Sequence, residues 1–157
     1  MPPGKKSQPK PADFEPNRLQ RVAAGLLDVP LLGSAAFARL SRDLQSGDPR
    51  AATALARRLD VLASEPMQQA VADSLKGIGQ SACVDAIWQE WLHSRSARLT
   101  EVLLAVHKPA TAPSQTRAYS LLKLGRIKQL EDAPADLVMA LILACDDPDE
   151  QLAGTAR

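Results

Sequence analysis

One short stretch of the sequence brings a carboxylate within reach of two large aromatic side chains. Asp85, Trp88 and Trp91 follow one another at intervals of three residues, a spacing that can group them on one side of a helix. Such a group could act in catalysis if its three side chains lined an open groove. Both indoles also continue an apolar stripe with Val84 and Ile87, and this stripe favours a position in the core.

The sequence contains few residues that could bind a metal ion or act as a nucleophile. The candidates are two histidines, His93 and His107, and two cysteines, Cys83 and Cys145. Cys83 and His93 are ten residues apart, which corresponds to about 1,000° of helical rotation, so they lie on different faces of a helix. No Cys–His or Ser–His–Asp spacing typical of nucleophilic catalysis is present. We therefore predict a non-enzymatic protein with no metal or other cofactor.

The thiols and the lack of long apolar runs predict the compartment. Both cysteines sit inside apolar helical patterns, as expected for buried free thiols in a reducing environment. No window approaches the ~18 uncharged residues of a membrane span, and no hydrophobic signal segment begins the sequence. The sequence therefore predicts a cytoplasmic protein without a membrane partner.

Basic side chains are concentrated in the first part of the chain. Residues 1–58 carry ten Lys and Arg against five Asp and Glu, whereas residues 129–157 carry one against seven, within a net charge of +1. Binding to a nucleic-acid backbone would require basic groups gathered along one surface. A nucleic-acid-binding helical repeat module is thus the alternative function, and it would rest on Arg18, Arg21, Arg50, Arg57 and Arg58.

Composition predicts that helices position all these residues. The 157 residues include only five aromatics, and the apolar positions are mostly Ala and Leu, which favours closely packed helices over a sheet. Residues 1–16 hold five prolines and three lysines, and we expect them to form a disordered basic tail. Residues 17–157 are predicted to form one helical repeat domain.

A recurring pair, an acidic residue followed by proline, indicates where helices begin. Each pair precedes a run rich in alanine and leucine. The pairs are Glu15-Pro16, Asp48-Pro49 and Asp147-Pro148. Together with apolar residues at matching offsets, they predict first-helix starts at residues 16, 49, 81, 115 and 148. A period near 33 residues is typical of stacked helical units, so we expect about four hairpins and the start of a fifth.

Apolar periodicity also predicts which side of each helix faces the core. The first helix is predicted to turn one apolar stripe inward. This stripe consists of Leu19, Val22, Ala23, Leu26 and Leu27. In the helix that begins at Pro49, the residues predicted to face solvent are Thr53, Arg57 and Asp60.

These features resemble the HEAT/armadillo class of helical repeats. The likeness rests on the Asp-Pro openings at 48–49 and 147–148, the hairpin end at 75–79 and the two-helix period. Tetratricopeptide repeats have a similar period, but their aromatic and glycine pattern does not recur here. The resemblance implies a right-handed superhelical array of antiparallel hairpins, a HEAT-like α-solenoid.

The resemblance also implies where a partner would bind. In two-helix solenoids the second helices line a concave groove, and mixed charges there suit a protein or peptide partner more than a polyanion. The polar residues expected to face this groove are Gln69, Asp73, Lys76, Arg95, Arg98 and Glu101. The predicted function is a non-enzymatic protein–protein interaction scaffold. HEAT-like DNA glycosylases build a site from aromatics and an aspartate, so Asp85 with its two indoles implies a further, less favoured function.

Residues 81–147 also look like helical arrays found beside WD-repeat propellers in large bacterial proteins. The likeness includes Trp88, Trp91 and the segment 121–126. Apolar residues near the end of the sequence have no complete following repeat to cover them. These residues are Leu137, Val138, Leu141 and Leu152. We therefore expect a segment of a longer array in a larger regulatory or sensor protein, in which adjoining domains are also potential partners.

Overall fold

The computed structural model of the chain describes residues 13–111 and 114–126, and seven single residues after them. The single residues are 138, 141, 142, 144, 145, 147 and 149. Among the described residues all regular structure is helical and no strand occurs, which confirms the predicted all-α class. The helices are α1 (Arg18–Leu26), α2 (Gly33–Gln45), α3 (Pro49–Arg58), α4 (Glu65–Lys76), α5 (Ser81–Ser94), α6 (Ala97–Val106) and α7 (Ser114–Lys123).

Three of the predicted helix starts agree with the structure to within one residue. α3 begins at Pro49, α5 at Ser81 and α7 at Ser114, against predictions of 49, 81 and 115. α1 begins at Arg18 rather than at residue 16, because Asn17 is its N-cap. The predicted fifth start at residue 148 lies outside the described residues, as do residues 1–12 of the predicted tail.

Side-chain caps explain several of these starts. The first turn of a helix leaves backbone N–H groups without partners inside the helix. Asp48, Ser64 and Ser96 each accept a hydrogen bond from such a group in α3, α4 and α6. Asn17 and Gln20 bond to each other's backbone N–H reciprocally at the start of α1. Each of these helices therefore begins at a locally determined residue.

Consecutive helices pack together, and so do several helices that are two positions apart in the chain. α1 contacts α2, α3 contacts α4, and α5 contacts α6. In addition α3 lies against α1 and α5, α5 lies against α7, and α4 lies against α6. The odd-numbered helices are therefore side by side, and α4 and α6 are side by side as well. The core between them consists mainly of leucine and alanine with the two tryptophans.

The buried face of α1 differs from the predicted apolar stripe. Leu19 and Val22 are 66% and 54% exposed, whereas Gln20 is only 2% exposed. The Gln20 amide donates hydrogen bonds to Asp43 Oδ2 at 3.3 Å and to Asp48 Oδ2 at 2.8 Å. Because these carboxylates belong to α2 and to the cap of α3, the two bonds set the rotation of α1. The prediction that Leu19 and Val22 point inward is wrong for this reason.

α3 is surrounded on more sides than its sequence indicates, because it packs against α1, α2, α4 and α5. All residues from 51 to 56 are buried. Thr53, predicted to face solvent, is 3% exposed, and its hydroxyl donates to the Pro49 carbonyl at 3.3 Å. Arg57 and Asp60 are exposed, as predicted. The prediction for Thr53 is wrong because a single periodicity cannot describe a helix with neighbours on several sides.

Residues 13–16, the described part of the predicted tail, lie against the helices. Phe14 is partly buried against the core, Pro16 is buried, and the Glu15 carboxylate pairs with Arg57. The packed part of the chain therefore includes residues before the predicted boundary at 17. Within the part of the chain that the structure describes, no helix has the length and apolar character needed to cross a membrane.

Candidate interaction groove

A small cavity of about 80 Å³ is open between α4 and α6, two helices that lie against each other. Five polar residues form its rim: Glu65, Gln69 and Lys76 from α4, and Arg98 and Glu101 from α6. We call this feature the α4–α6 groove. It is a place where side chains of two helices that are not consecutive in the chain meet.

Helical spacing explains why these residues share the groove. Glu65, Gln69 and Lys76 are four and seven residues apart, which places them on one face of α4. Arg98 and Glu101 are three residues apart, which places them on one face of α6. Glu65 and Lys76 are also the first and last residues of α4, so about 17 Å of helix axis separates them.

The floor of the groove is apolar and is held by a buried hydrogen bond. Leu59 and Val102 are each 1% exposed, and Ala72 lies beside them. The Gln68 side chain, 9% exposed, donates to the Leu59 carbonyl at 3.2 Å. This bond ties α4 to the end of α3 and keeps the polar Gln68 amide satisfied under the rim.

Four of the six residues predicted to face a groove line this one: Gln69, Lys76, Arg98 and Glu101. A fifth, Asp73, lies next to it and accepts a hydrogen bond from the Gln69 amide at 2.8 Å. Glu65 was not among the predicted residues. Its position one turn before Gln69 on the same face is the sequence feature that indicates it.

The rim charges of the α4–α6 groove have no ionic partner in the described part of the chain. Glu65, Lys76, Arg98 and Glu101 form no ion pair and no side-chain hydrogen bond with any described residue. Two of these charges are positive and two are negative. The groove is therefore electrically mixed, with charged groups that remain available to a partner.

Arg95, the sixth predicted groove residue, lies elsewhere. It is the C-cap of α5, with a left-handed backbone at φ 51° and ψ 32°. Its guanidinium donates to both carboxylate oxygens of Asp147, at 3.1 and 2.8 Å. Its Nε donates to the Leu92 carbonyl at 3.3 Å. Arg95 thus joins the α5–α6 turn to a residue 52 positions later, and the structure does not bring it into the α4–α6 groove.

Aromatic rings and a second cation surround Arg95. The centre of its guanidinium lies 4.7 Å from the Trp91 ring centre and 5.3 Å from that of Tyr119, distances typical of cation–π contacts. The Lys123 ammonium lies 5.8 Å from the Trp91 ring centre and 3.0 Å from an oxygen of Asp149. These side chains pack the described residues after α7 against α5 and α7.

The carboxylate of Asp147 is stabilised in its charged form. Burial raises its pKa, but hydrogen bonds from the Asp149 backbone N–H, from Arg95 and from Tyr119 lower it by more. The pKa of Asp147 is therefore held below its usual range. The charged carboxylate is the form that pairs with Arg95.

Arg57, one of the predicted nucleic-acid contacts, is bound to two carboxylates of its own chain. It donates to both oxygens of Glu15 at 2.7 and 2.8 Å, and its Nε donates to Glu90 at 3.1 Å. The bond with Glu15 raises the pKa of Arg57 and lowers that of Glu15. A phosphate would have to displace these carboxylates to reach the Arg57 guanidinium.

The other four predicted nucleic-acid contacts fall into two groups. Arg58 is half-buried, and its guanidinium lies 3.8 Å from Asp28. Arg18 and Arg21 are exposed on α1, and Arg50 is exposed at the start of α3. The structure therefore does not present the five arginines as one continuous surface of equally available charges.

The two tryptophans of α5 are core residues. Trp88 is 0% and Trp91 1% exposed, and their rings meet edge to face with centres 5.6 Å apart. The Trp88 indole N–H donates to the Lys108 carbonyl at 2.8 Å, and the Trp91 indole N–H donates to the Thr100 hydroxyl at 2.9 Å. The glycosylase hypothesis requires aromatic rings that line an open groove, and neither of these rings does.

Asp85 anchors the segment that follows α6. The residue is 6% exposed, and its two oxygens accept from the backbone N–H and the hydroxyl of Thr111 at 2.7 and 2.6 Å. Both carboxylate oxygens are therefore engaged in holding this segment against α5. The geometry gives Asp85 a structural role.

The remaining candidate residues for chemistry are separated. His93 is exposed with Nδ1 2.9 Å from the Gln89 carbonyl, and His107 is the left-handed C-cap of α6. Cys83 is a fully buried free thiol, and burial, with a smaller contribution from Asp48, raises its pKa to about 11. Over the residues that the structure describes, no group of three or more His, Cys, Asp or Glu side chains is arranged to hold a metal ion.

Comparisons of this chain with protein-family models, with curated proteins and with solved structures found no match. Its functional interpretation therefore depends on its own residues and their geometry.

Proposed function

We propose that this chain is a non-enzymatic interaction module that binds a protein or peptide segment in the α4–α6 groove. The observation that carries the proposal is the set of four rim charges without ionic partners in the described chain: Glu65, Lys76, Arg98 and Glu101. Arg57 and Arg95, in contrast, are engaged by carboxylates. A partner that supplies complementary groups gains specificity from such rim charges.

The groove geometry favours an extended segment of mixed charge. Glu65 and Lys76 are separated by about 17 Å along the α4 axis, which matches about five residues of extended peptide at 3.3 Å each. Two positive and two negative rim groups favour neither a polyanion nor a polycation. Ala72, which is only partly buried, provides a small apolar contact surface for the same segment, whereas Leu59 and Val102 below it are each 1% exposed.

We also propose that the helices form a HEAT-like α-solenoid, a right-handed superhelical array of hairpins. The side-by-side packing of α1, α3, α5 and α7 and the contact between α4 and α6 support this architecture. In such an array each repeat contacts its neighbours and the second helices line a surface for partners. We further propose that this module is one segment of a cytoplasmic regulatory or sensor protein. The buried free thiol of Cys83 supports a reducing compartment such as the cytoplasm.

Peptide selection tests the proposed function. The full chain is presented to a random peptide display library, and the affinities of the selected peptides are measured for the wild type and for the double variant Lys76→Glu/Arg98→Glu. We expect at least a tenfold loss of affinity, about 1.4 kcal/mol, because the variant reverses both positive rim charges. The control variant Arg21→Glu/Arg50→Glu makes the same charge change outside the groove and should bind as the wild type does. Equal losses in both variants would reject the groove as the site.

The nucleic-acid alternative predicts a different outcome for the same variants. Duplex and single-stranded oligonucleotides are titrated with the wild type at low and moderate salt. Micromolar affinity that falls steeply with salt, and that is lost in Arg21→Glu/Arg50→Glu, would replace the peptide-binding proposal. We expect only weak binding, since Arg57 and Arg58 are paired with carboxylates.

A further inference from the structure

A cavity of about 230 Å³ is open between α3 and α5 and shares no lining residue with the α4–α6 groove. Side chains of both helices form its walls. They are Thr53 and Arg57 from α3, and Ala86, Gln89, Glu90 and His93 from α5. We call this feature the α3–α5 cleft. Because α3 and α5 pack directly against each other, the core of the fold holds these walls in place.

Three residues that precede α1 cover one side of the α3–α5 cleft. Asp13, Phe14 and Glu15 also line the cavity, and we call them the strap. The Arg57 guanidinium donates to both carboxylate oxygens of Glu15, at 2.7 and 2.8 Å. Phe14 packs against the core and is partly buried. The strap therefore shows which chemistry the cleft accepts, namely an aromatic side chain followed directly by a carboxylate.

The strap is fastened by contacts that water reaches. The Arg57 and Glu15 side chains are 41% and 49% exposed, and exposed ion pairs contribute little to stability. The Asp13 carboxylate accepts a hydrogen bond from the Glu15 backbone N–H at 2.9 Å, a bond within the strap that does not fasten it to either helix. Directly after the strap, Pro16 is buried and Asn17 caps α1. The strap can thus leave the cleft while the helices stay in place.

Arg57 remains oriented when the strap leaves. Its Nε donates to the Glu90 carboxylate at 3.1 Å, and the Glu90 side chain is only 15% exposed. The loss of Glu15 frees the two terminal nitrogens of the guanidinium, which are then positioned to bind another carboxylate through paired hydrogen bonds. The half-buried Gln89 lines the same cavity, and its side-chain amide forms no hydrogen bond with any residue that the structure describes.

We propose that the α3–α5 cleft is a docking site for an acidic segment of a partner protein, with an aromatic residue directly before a carboxylate, and that the strap competes with this segment. The partner's carboxylate replaces Glu15 on Arg57, and its aromatic ring replaces Phe14. A partner that also reaches the open cavity gains contacts that the strap does not make. The strap lowers the apparent affinity for the partner by about tenfold if it is in place in about nine molecules of ten.

Binding of a peptide with the strap's own sequence tests this proposal. The probe is the fluorescein-labelled peptide Pro-Lys-Pro-Ala-Asp-Phe-Glu, which repeats residues 9–15 and ends in an amide. Fluorescence anisotropy is measured at increasing concentrations of the full chain, for the wild type and for Phe14→Ala/Glu15→Ala. We expect this double variant to bind the probe about tenfold more tightly than the wild type, because its strap no longer competes.

Further variants locate the binding in the cleft. Arg57→Ala, added to the double variant, should weaken probe binding by about tenfold or more, because the paired donors are lost. Arg50→Ala in the same background is the matched control, since Arg50 is an exposed arginine of the same helix outside the cleft, and it should leave the affinity unchanged. The α4–α6 groove variant Lys76→Glu/Arg98→Glu should also bind the probe normally, so this test and the groove test succeed or fail separately.

Equal affinity of the wild type and the double variant for the probe, or no binding by either, would overturn the proposal. The same affinity in Arg57→Ala and Arg50→Ala would overturn it as well. Circular dichroism and thermal melting establish that each variant is folded. Glu15→Gln replaces the double variant if that one does not fold, and Arg57→Lys replaces Arg57→Ala. If Glu15→Gln also fails to fold, the strap is a fixed part of the fold and the proposal is rejected.

Discussion

Among the arginines that the structure describes, Arg57 and Arg95 bind a carboxylate of the same chain through two hydrogen bonds. Each donates two hydrogen bonds to one carboxylate, Glu15 and Asp147 respectively, and both partners are distant in sequence. Paired donation of this kind matches the planar guanidinium to the planar carboxylate. These residues therefore hold the ends of the described chain on the central helices. Their charges are less available to outside partners than those of the α4–α6 groove.

The lowered pKa of Asp147 predicts a pH-dependent contribution to stability. A carboxyl group with a lowered pKa in the folded state stabilises the fold above its ordinary pKa of about 3.9, and this stabilisation is lost as the pH falls through the folded value. We expect Asp147→Asn to lower the free energy of unfolding by about 1 kcal/mol at pH 7, because Arg95 is partly exposed to solvent. The difference from the wild type should disappear at strongly acidic pH.

Urea unfolding followed by tryptophan fluorescence measures this difference at each pH, since Arg95 lies over Trp91. Asp60→Asn, at an exposed position, provides the control and should behave as the wild type throughout. A difference between Asp147→Asn and the wild type that stays constant down to strongly acidic pH would contradict the role assigned to the carboxylate.

Several helix starts could be predicted from the sequence because the residues that determine them are local. A cap such as Asp48 and the following Pro49 act within one turn, so the pattern predicts α3 correctly. The rotation of α1 has a distant cause, the bonds from Gln20 to Asp43 and Asp48, so the apolar periodicity alone placed Leu19 and Val22 on the wrong side. Contacts between residues that are distant in sequence cannot be predicted from local patterns, and only the packed structure reveals them.

The candidate site shows the same division. Gln69 and Lys76 were expected in a groove because the resemblance to two-helix solenoids implies that second helices line one, and their spacing puts them on one face of α4. Arg95 was expected there for the same reason, but it lies past the end of α5 in a left-handed conformation. Its partner Asp147 is 52 residues away, and no local pattern indicates that contact.

The cap of α6 gives a prediction at the scale of one helix. The Ser96 hydroxyl accepts from the Leu99 backbone N–H at 3.1 Å in a buried environment, so Ser96→Ala leaves that N–H without its partner. We expect a loss of about 1 kcal/mol in the free energy of unfolding, measured by chemical denaturation. Ser81→Ala is the matched control, because Ser81 is exposed and lies inside α5 after an N-cap that makes no side-chain bond. Equal effects of the two substitutions would contradict the assigned cap.

Among the described helices, α3 has the largest number of helix neighbours. It packs against α1, α2, α4 and α5, whereas α7 packs against α5. If the chain is an array in which each unit contacts its neighbours, damage should spread from α3 in both directions and remain local at α7. A compact globule with one shared core would instead respond in the same way to damage at either place.

Two buried leucines separate these possibilities. Leu55 in α3 is 0% and Leu122 in α7 is 2% exposed, so each change to alanine removes a similar packed side chain. We expect Leu55→Ala to lower the free energy of unfolding by about 2–5 kcal/mol and to speed amide hydrogen exchange from α1 to α5. Leu122→Ala should speed exchange in α7 and leave α1 and α3 protected. Exposed Leu104→Ala controls for the loss of a leucine at the surface. If Leu122→Ala exposes α1 as strongly as α7, the chain unfolds as one cooperative unit, and the proposed solenoid loses its support.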